Sequence, residues 1–340
     1  MNNMNNLLLI IFIIIFIIIF FYFVNNLLIP LEHMTVKNIR LNKILNENNY
    51  EIDTDNSCIK KNNNIIYKYE SNNFNSFESH YTAKNKPLTN SIFSKNNIPV
   101  PDHVIIDKSN KDNFILPDKI KFPCVLKPVD GMQGKDVNTF IKNIDQFNKI
   151  LKDLLSRYDK IMLENQVYGN NYRIFIFNDK IIDVIEREQP FIIGDGNKDI
   201  DTLIKDKNEL QKKNNLFPTN NIDWNYIEEQ GFLKDKVPNK NKKVFITNTI
   251  NFHNGANPVR ISIDKIPKIN QDIFIKAHKL IKLHCSGLDY MSPDITVSYK
   301  DNNGHIIEIN DMVDTKIHVD ADHGKDPDFL FKNIVNTFTN

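Results

Sequence analysis

The pattern of apolar and polar positions divides the chain into three parts. Residues 7–24 are eighteen consecutive apolar side chains, and no charged residue precedes Glu32. Residues 31–79 are polar, rich in Asn and poor in long periodic apolar stretches, which is typical of a linker with some local structure. From His80 to the C-terminus, helical and strand patterns are mixed, which indicates a folded domain over 80–340.

After His80 the patterns predict short helices and strands. Asn178 and Asp179, between two strand-like runs, are typical of a two-residue hairpin turn. Strands and helices follow one another without a regular βαβ rhythm, which favours an α+β fold over a doubly wound sheet. The predicted helices lie around residues 86–95, 147–155 and 273–284, and the predicted strands over residues 122–127, 160–164, 172–177, 180–187, 294–299 and 305–310.

The first apolar run is long enough to cross a bilayer. It lacks both the positive flank and the small-residue cleavage site of a secretory signal, so residues 1–30 are predicted to be an uncleaved transmembrane anchor. The first positive charges, Lys37, Arg40 and Lys43, follow the run. By the positive-inside tendency, the chain is therefore expected to be a single-pass membrane protein whose catalytic domain faces the cytosol.

Composition narrows the functional classes. Lys and Arg number 43 against 42 Asp and Glu, which leaves a net charge of +1 and no global field that would attract nucleic acid. The three cysteines contain no CxxC pair, so neither a disulfide framework nor a cysteine-based zinc site is expected.

A predicted hairpin near the C-terminus carries oxygen-bearing side chains. If its register is centred on Asn302, Asp294 lies directly opposite Asn310, and Glu308 lies two residues along on the same face. Two carboxylates and one amide oxygen suit Mg²⁺. A solvated polar face of a half-exposed hairpin would give the same alternation, and on pattern alone that alternative is preferred.

Lys127 ends an apolar strand and is followed by a loop with Gly131, Gly134 and Lys135. Glycines let backbone amides approach phosphate oxygens, and lysines neutralise phosphate charge. The spacing matches neither a Walker A loop nor GxGxxG, and a plain polar turn is the alternative interpretation.

The segment from Glu164 to Arg173 offers a third set of polar groups. A Glu on an edge strand can hydrogen-bond a nucleobase, and Arg173 with Arg187 can neutralise a carboxylate or phosphate. A surface ion pair is the alternative for the two arginines.

The order of these segments along the chain resembles the ATP-grasp superfamily, and most closely the ATP-grasp modules of cyanophycin synthetase and of the fused, bifunctional glutathione synthetase. The resemblance covers the chain from about His80 to the C-terminus. It depends on a lysine strand, a glycine-rich loop, an interlobe hinge, an arginine with a Gly-Asp-Gly segment, and two metal-binding segments; these are residues 122–128, 130–135, 162–169, 187–196, 292–295 and 306–310.

The resemblance implies a role for each matching residue. Lys127 and Lys135 would hold phosphates, and Arg173 and Arg187 would position an acidic substrate, so that Lys135 and the two arginines form the catalytic set. The implied nucleotide-binding residues, at the adenine and then at the ribose, are Glu164, Gln166, Val167 and Asn171. The implied ligands of Mg²⁺, or of Mn²⁺ in its place, are Asp294, Glu308 and Asn310.

The resemblance also implies a fold and an activity. The fold is two α+β lobes that grip ATP, here over about 115–166 for the nucleotide lobe and 167–335 for the metal and substrate lobe. The activity is ATP-dependent ligation of a carboxylate to an amine through an acyl phosphate, with amino acids or a peptide as candidate substrates.

Two departures from the family pattern support an alternative. Thr247 occupies the position where a catalytic Arg is expected, and residues 311–314 replace a small, Pro-Gly segment, while His318 is retained beyond it. Loss of an Arg aimed at the transferring phosphoryl group costs transition-state stabilisation. The alternative is therefore a degenerate ATP-grasp protein that binds nucleotide without ligating, as a membrane-tethered binding or scaffold protein.

Overall fold

The computed structural model describes residues 33–131 and 134–338. Helices and strands are numbered here in chain order. The helices are α1 (Ile39–Glu47), α2 (Phe77–Lys84), α3 (Lys86–Lys95), α4 (Ile144–Arg157), α5 (Ile200–Lys213), α6 (Trp224–Glu229), α7 (Lys268–Leu280), α8 (Tyr299–Asn302), α9 (Lys316–Val319), α10 (Ala321–Gly324) and α11 (Phe329–Asn336). The strands are β1 (Tyr50–Asp53), β2 (Cys58–Lys61), β3 (Asn64–Lys68), β4 (His103–Asp107), β5 (Cys124–Pro128), β6 (Asn138–Ile141), β7 (Lys160–Asn165), β8 (Asn170–Phe177), β9 (Lys180–Glu188), β10 (Phe191–Ile193), β11 (Lys243–Phe245), β12 (Asn257–Arg260), β13 (Cys285–Ser292) and β14 (His305–Asn310).

A four-stranded antiparallel sheet has the order β4-β7-β5-β6. Because side chains alternate along a strand, Leu126 and Leu163 pack on the amphipathic helix α4, as the periodicity predicts. Lys127, opposite Met162, and Glu164 point to the other face. The same alternation that builds this core therefore places charged groups on the side away from α4.

A five-stranded antiparallel sheet has the order β12-β9-β8-β13-β14. One face is apolar and packs on α7 and α3, with Ile174, Leu288 and Tyr290 all fully buried. The opposite face carries polar side chains, among them Arg173 and Asp289, which are direct neighbours across β8 and β13. Sheets and helices are segregated in this way in α+β proteins, which confirms the predicted α+β class.

The hairpin of β8 and β9 forms where the sequence predicts it. Asn178 and Asp179 both have left-handed backbone conformations, with φ of 49° and 60°. Two positive φ values give the type I′ turn, whose twist matches that of the flanking strands. This hairpin supplies both arginines of the polar face.

The segment from residue 33 to residue 75 differs from the predicted linker. Helix α1 and the three antiparallel strands β1-β2-β3 pack on the five-stranded sheet and on α11. Leu41 and Ile44 of α1 share one core with Phe175 and Phe177 of β8. The pattern alone does not indicate this core, because its partners lie more than a hundred positions away in the chain.

Residues 191–246 form a smaller unit around their own apolar cluster. Strands β10 and β11 pair with each other, and α5 and α6 pack against them. Ile200, Ile227 and Val244 are fully buried there. The unit lies between β9 and β12, which are neighbours in the five-stranded sheet.

The observed register of the acidic hairpin is not the predicted one. Strand β13 ends at Ser292, and β14 pairs Asn310 with Gly287 and Glu308 with Asp289. Asp294 lies beyond the strand, where its Oδ1 accepts hydrogen bonds from the backbone and side chain of Thr296. The turn contains the short helix α8 and is longer than the five-residue turn assumed from the pattern, so the pairing starts further back in the sequence.

The predicted transmembrane anchor and single-pass, cytosol-facing arrangement must be corrected. No helix among residues 33–131 and 134–338 is long and apolar enough to cross a membrane. The longest of these helices have 14 residues, or about 21 Å, against the roughly 30 Å of a hydrocarbon core. The apolar run at 7–24, on which the prediction depended, lies outside the described residues.

We expect the side chain of Asn75 to stabilise the packing of the N-terminal unit, residues 33–75, on the five-stranded sheet. Its Oδ1 accepts from the backbone N–H of His284 and Cys285, and its Nδ2 donates to the carbonyls of Cys285 and Asp311. Replacing Asn75 by Ala orphans these buried groups and should lower the free energy of unfolding by about 3 kcal/mol in urea titrations. The exposed neighbour Asn72, changed to Ala, serves as control, and equal losses in the two variants would contradict this role.

We expect His278 to make stability fall with acidification. It is fully buried on α7, its Nδ1 lies 2.7 Å from Ser286 Oγ, and burial lowers its pKa from 6.5 to about 4. The unfolded chain takes up this proton near pH 6.5 and the folded chain does not, so the contribution is complete above that pH and is lost as the pH falls towards 4. Between pH 7 and pH 5 the native protein should lose about 2 kcal/mol more than the His278→Gln variant. Parallel stability curves for the two proteins would rule the effect out.

Candidate active site

A buried ion pair lies on the face of the four-stranded sheet that points away from α4. Lys127 Nζ is 2.6 Å from Glu164 Oε2, and the two side chains are only 10% and 4% exposed. The other carboxylate oxygen, Glu164 Oε1, is buried and has no hydrogen-bond partner among the described residues. Buried polar atoms are normally satisfied, so this oxygen is a position where a ligand N–H group could bind.

The connection between the two sheets, residues 166–169, holds the predicted adenine-binding residues. The Gln166 side chain accepts from the backbone N–H of Phe140 and donates to the carbonyl of Val167, which is itself buried. Asn171, the predicted ribose contact, accepts a hydrogen bond from Arg187 Nε at 2.6 Å. The hinge side chains are thus fixed by local bonds next to the ion pair.

Two arginines converge on one carboxylate in the five-stranded sheet. Asp289 Oδ1 lies 3.0 Å from Arg173 Nε and 2.9 Å from Arg187 Nη2. Both guanidinium groups lie within hydrogen-bond distance of this oxygen and neutralise its charge. Burial lowers the pKa of Arg187, and the charge of Asp289 opposes that shift. The cluster carries one excess positive charge, which suits an anionic ligand.

Oxygen donors lie next to this cluster on the same sheet face. Asp289 is directly opposite Glu308, and Asn310 is two residues further along β14 on the same side. No group of three or more His, Cys, Asp or Glu within the described residues is arranged to hold a metal ion without other donors. A cation here would need the Asn310 oxygen, water or ligand oxygens to complete its shell.

Lys86 connects the two sheets. It lies in the first turn of α3, and its Nζ donates to the carbonyl of Gly131 at 2.7 Å. The same Nζ is 3.5 Å from Glu308 Oε1. One cation therefore touches both the glycine-rich loop after β5 and the acidic strand β14, which places the two polar faces on one cleft.

The remaining predicted residues lie elsewhere. Lys135 is exposed in the loop after Gly134, and Asp294 is outside the acidic strand pair. Thr247 is buried, and its Oγ1 accepts from the backbone N–H of Thr249. The structure thus brings together Lys127, Glu164, Asn171, Arg173, Arg187, Glu308 and Asn310, and it does not bring Lys135 or Asp294 to them.

Sequence reasoning missed Asp289 and Lys86. Asp289 is the one carboxylate that reaches both arginines and faces Glu308. The available signal was the position of Asp289 between two apolar residues, Leu288 and Tyr290, whose burial on one face of the strand sends the carboxylate to the other. Lys86 offers no comparable signal, since a lysine in the first turn of a helix is usually solvated.

Two sheets with facing polar sides, a lysine strand and a glycine-rich loop define the ATP-grasp class. A sequence model of the RimK-like ATP-grasp domain matches residues 83–192. Residues 83–192 are therefore similar to a RimK-like ATP-grasp domain, which confirms the resemblance seen in the sequence and supports the prediction of an ADP-forming ligase.

Particular relatives agree with this assignment. The chain is 29% identical over 255 residues to cyanophycin synthetase of Geminocystis herdmanii, an alignment that covers 71% of this chain and 29% of that protein. It is 27% identical over 248 residues to the glutathione biosynthesis bifunctional protein GshAB of Clostridium perfringens, covering 68% and 31% of the two chains. The chain thus spans about 30% of the length of these relatives.

A solved structure shows the same fold. The bifunctional glutathione synthetase from Pasteurella multocida superposes with a TM-score of 0.58 at 20% identity, over 85% of this chain and 42% of that one. At this identity the similarity supports the fold alone.

We expect removal of one charge of the Lys127–Glu164 pair to destabilise the protein more than removal of both charges. Lys127→Met leaves the carboxylate of Glu164 buried without a countercharge and should lower the free energy of unfolding by about 3 kcal/mol. Adding Glu164→Leu to that variant should recover most of the loss, because no buried charge then remains.

Chemical denaturation of the single and double variants measures this coupling. Lys268→Met, which removes a lysine from the exposed pair with Asp272, should leave the stability nearly unchanged. A double variant no more stable than Lys127→Met would show that the buried charges are not coupled.

Proposed function

We propose that this chain is an ATP-dependent carboxylate–amine ligase that forms an amide or peptide bond through an acyl phosphate. The observation that carries the proposal is Lys86, which contacts both the loop after the lysine strand and the acidic strand β14. The assignment of lobes, about 115–166 for the nucleotide and 167–335 for metal and substrate, is part of this proposal.

The nucleotide would lie between the two sheets. Lys127 and Lys86 would offer cationic groups to its phosphates, and the unsatisfied Glu164 Oε1 together with the hinge backbone would accept from its base. Asn171 would face the ribose. Lys135, in the adjoining loop, would reach the phosphates only if that loop closed over them.

The residues present fit Mg²⁺, which ATP-grasp enzymes typically use. Asp289 is a largely buried carboxylate, and Glu308 is directly opposite on the neighbouring strand, so two hard oxygen donors lie side by side. Asp289, Glu308 and Asn310 would hold the ion, and Asp294, the ligand expected from the sequence, is not supported by its position. When bound, the ion would neutralise the β- and γ-phosphate oxygens.

The arginines would bind the acidic substrate. Arg173 and Arg187 now share Asp289, so an ion that takes up Asp289 would free them to hold the substrate carboxylate against the γ-phosphate. The chain's contribution is then alignment and charge neutralisation, and the acyl phosphate that forms is attacked by an amine. Amino acids or short peptides are the proposed substrates, given the two synthetases that the chain resembles.

One observation favours a second candidate, a nucleotide-binding protein without ligase activity. Thr247 occupies the position where an Arg is expected, and its hydroxyl is engaged with its own turn. No cation is supplied at that position, so phosphoryl transfer could have been lost while nucleotide binding persisted.

We expect release of ADP when Mg-ATP is offered with amino acids, short acidic peptides or polyamines, with hydroxylamine as a general acceptor. Asp289→Asn should reduce ADP release at least a hundredfold because the ion and both arginines lose their shared carboxylate. Asp294→Asn is the matched control and should retain most of the activity.

ADP release is measured with a coupled assay, and the products are identified by mass spectrometry. A loss with Asp294→Asn and not with Asp289→Asn would contradict the assigned metal ligands. Mg-ATP that raises the melting temperature in the absence of any ADP release would select the non-catalytic candidate.

A further inference from the structure

The segment that follows Thr247 contacts the segment 311–314. His253 lies in the segment after Thr247, and Asp314 ends the replaced segment after β14. His253 Nε2 is 3.1 Å from Asp314 Oδ2, although the two residues are 61 positions apart in the chain. Each of these two segments therefore supplies one member of a His–Asp contact.

The carboxylate of this pair is fixed. Asp314 Oδ1 accepts a hydrogen bond from the backbone N–H of Lys316 at 2.9 Å, while Oδ2 faces the imidazole. Burial would by itself raise the pKa of Asp314, but its contacts with His253 and Lys316 outweigh that effect and keep it lowered. The carboxylate is thus ionised and pointed at His253.

The imidazole is also held, and it remains open to solvent. The ring of His253 packs on the ring of Phe217, with 4.7 Å between the two ring centroids. Lys316 Nζ lies 5.5 Å from the centroid of the same Phe217 ring. The His253 side chain is 42% exposed, whereas His278 and His318 are fully buried. With Nε2 engaged by Asp314, Nδ1 is the ring nitrogen left to meet a substrate.

The pair lies beside the substrate arginines. Phe252 packs on Ile185, and Ile185 is directly opposite Arg173 on the polar face of the sheet. On the other side, Val313 shares a cluster with Phe175, two residues beyond Arg173 on the same face. The turn with His253 and the segment with Asp314 therefore both cover the sheet next to Arg173.

We propose that His253, oriented by Asp314, accepts the proton of the amine that attacks the acyl phosphate. This role rests on the proposed ligase function and deepens it. His253 would be a catalytic residue and Asp314 a positioning residue, as in other Asp–His pairs in which the carboxylate holds the imidazole tautomer.

The step balances as follows. A substrate ammonium group gives one proton to Nδ1 of neutral His253, and the free amine forms a C–N bond with the acyl carbon. The C–O bond to the phosphoryl group breaks, and the phosphate leaves with the second amine proton as hydrogen phosphate. The imidazolium then returns its proton to water.

The experiment compares two acceptors in the full-length protein, with the carboxylate found in the ADP screen. A primary amine is protonated at neutral pH and needs a base, whereas hydroxylamine is largely unprotonated and needs none. We expect His253→Gln to lower the ratio of amide to hydroxamate about a hundredfold. Asp314→Asn should lower the same ratio, and Asp314→Glu should restore part of it.

His284→Gln is the matched control, since His284 is exposed at the start of β13, away from the cleft. Its ratio should equal that of the native protein. An unchanged ratio in His253→Gln would overturn the role of His253 while leaving the ligase intact. Absence of ADP with every acceptor, hydroxylamine included, would overturn the ligase and this role together.

Discussion

Charged side chains on the facing sides of two antiparallel sheets are neutralised by partners on neighbouring strands, and the candidate site depends on that pairing. Lys127 is paired with Glu164 on one sheet, and Asp289 is paired with two arginines on the other. An isolated buried charge would be too costly to keep, so each set is stable only as a unit. On the first sheet, Glu164 Oε1 has no hydrogen-bond partner among the described residues, which gives a ligand something to bind.

The N-terminal unit and the segment with His253 both contact residues 311–314, which directly follow β14. Asp311, which follows the oxygen donor Asn310, accepts from Asn73 Nδ2 and contacts His80 Nδ1. Asp314, three residues later, holds His253. Residues 311–314, where the resemblance led us to expect a small, Pro-Gly segment, therefore carry two carboxylates, each with a partner from a different part of the chain. This is a physical reason to expect an acceptor unlike those of the relatives.

Local signals in the sequence predicted local structure well. The hairpin of β8 and β9, helix α3 and helix α4 follow from turn chemistry and from helical periodicity, which act within a few residues. The lysine strand and the arginines could likewise be found, because their spacing follows strand alternation.

The predictions that the structure contradicts depend on contacts between residues that are distant in the chain. Strand β13 also pairs with the distant strand β8, and a register centred on the nearest turn placed Asp294 opposite Asn310, where the structure has Gly287. The N-terminal unit supplies apolar residues such as Leu41 and Ile44, but its core is completed only by Phe175 and Phe177 of the distant strand β8. The anchor prediction took length and apolarity as sufficient, and no described helix supports it.

The most direct measurement is a crystal structure of the protein with Mg²⁺ and a non-hydrolysable ATP analogue. The account predicts phosphates within hydrogen-bond reach of Lys127 and Lys86, with the ion bound to Asp289 and Glu308 and both arginines turned away from Asp289. A nucleotide bound away from the two sheet faces, or an Asp289 that still holds both arginines beside a bound ion, would contradict it.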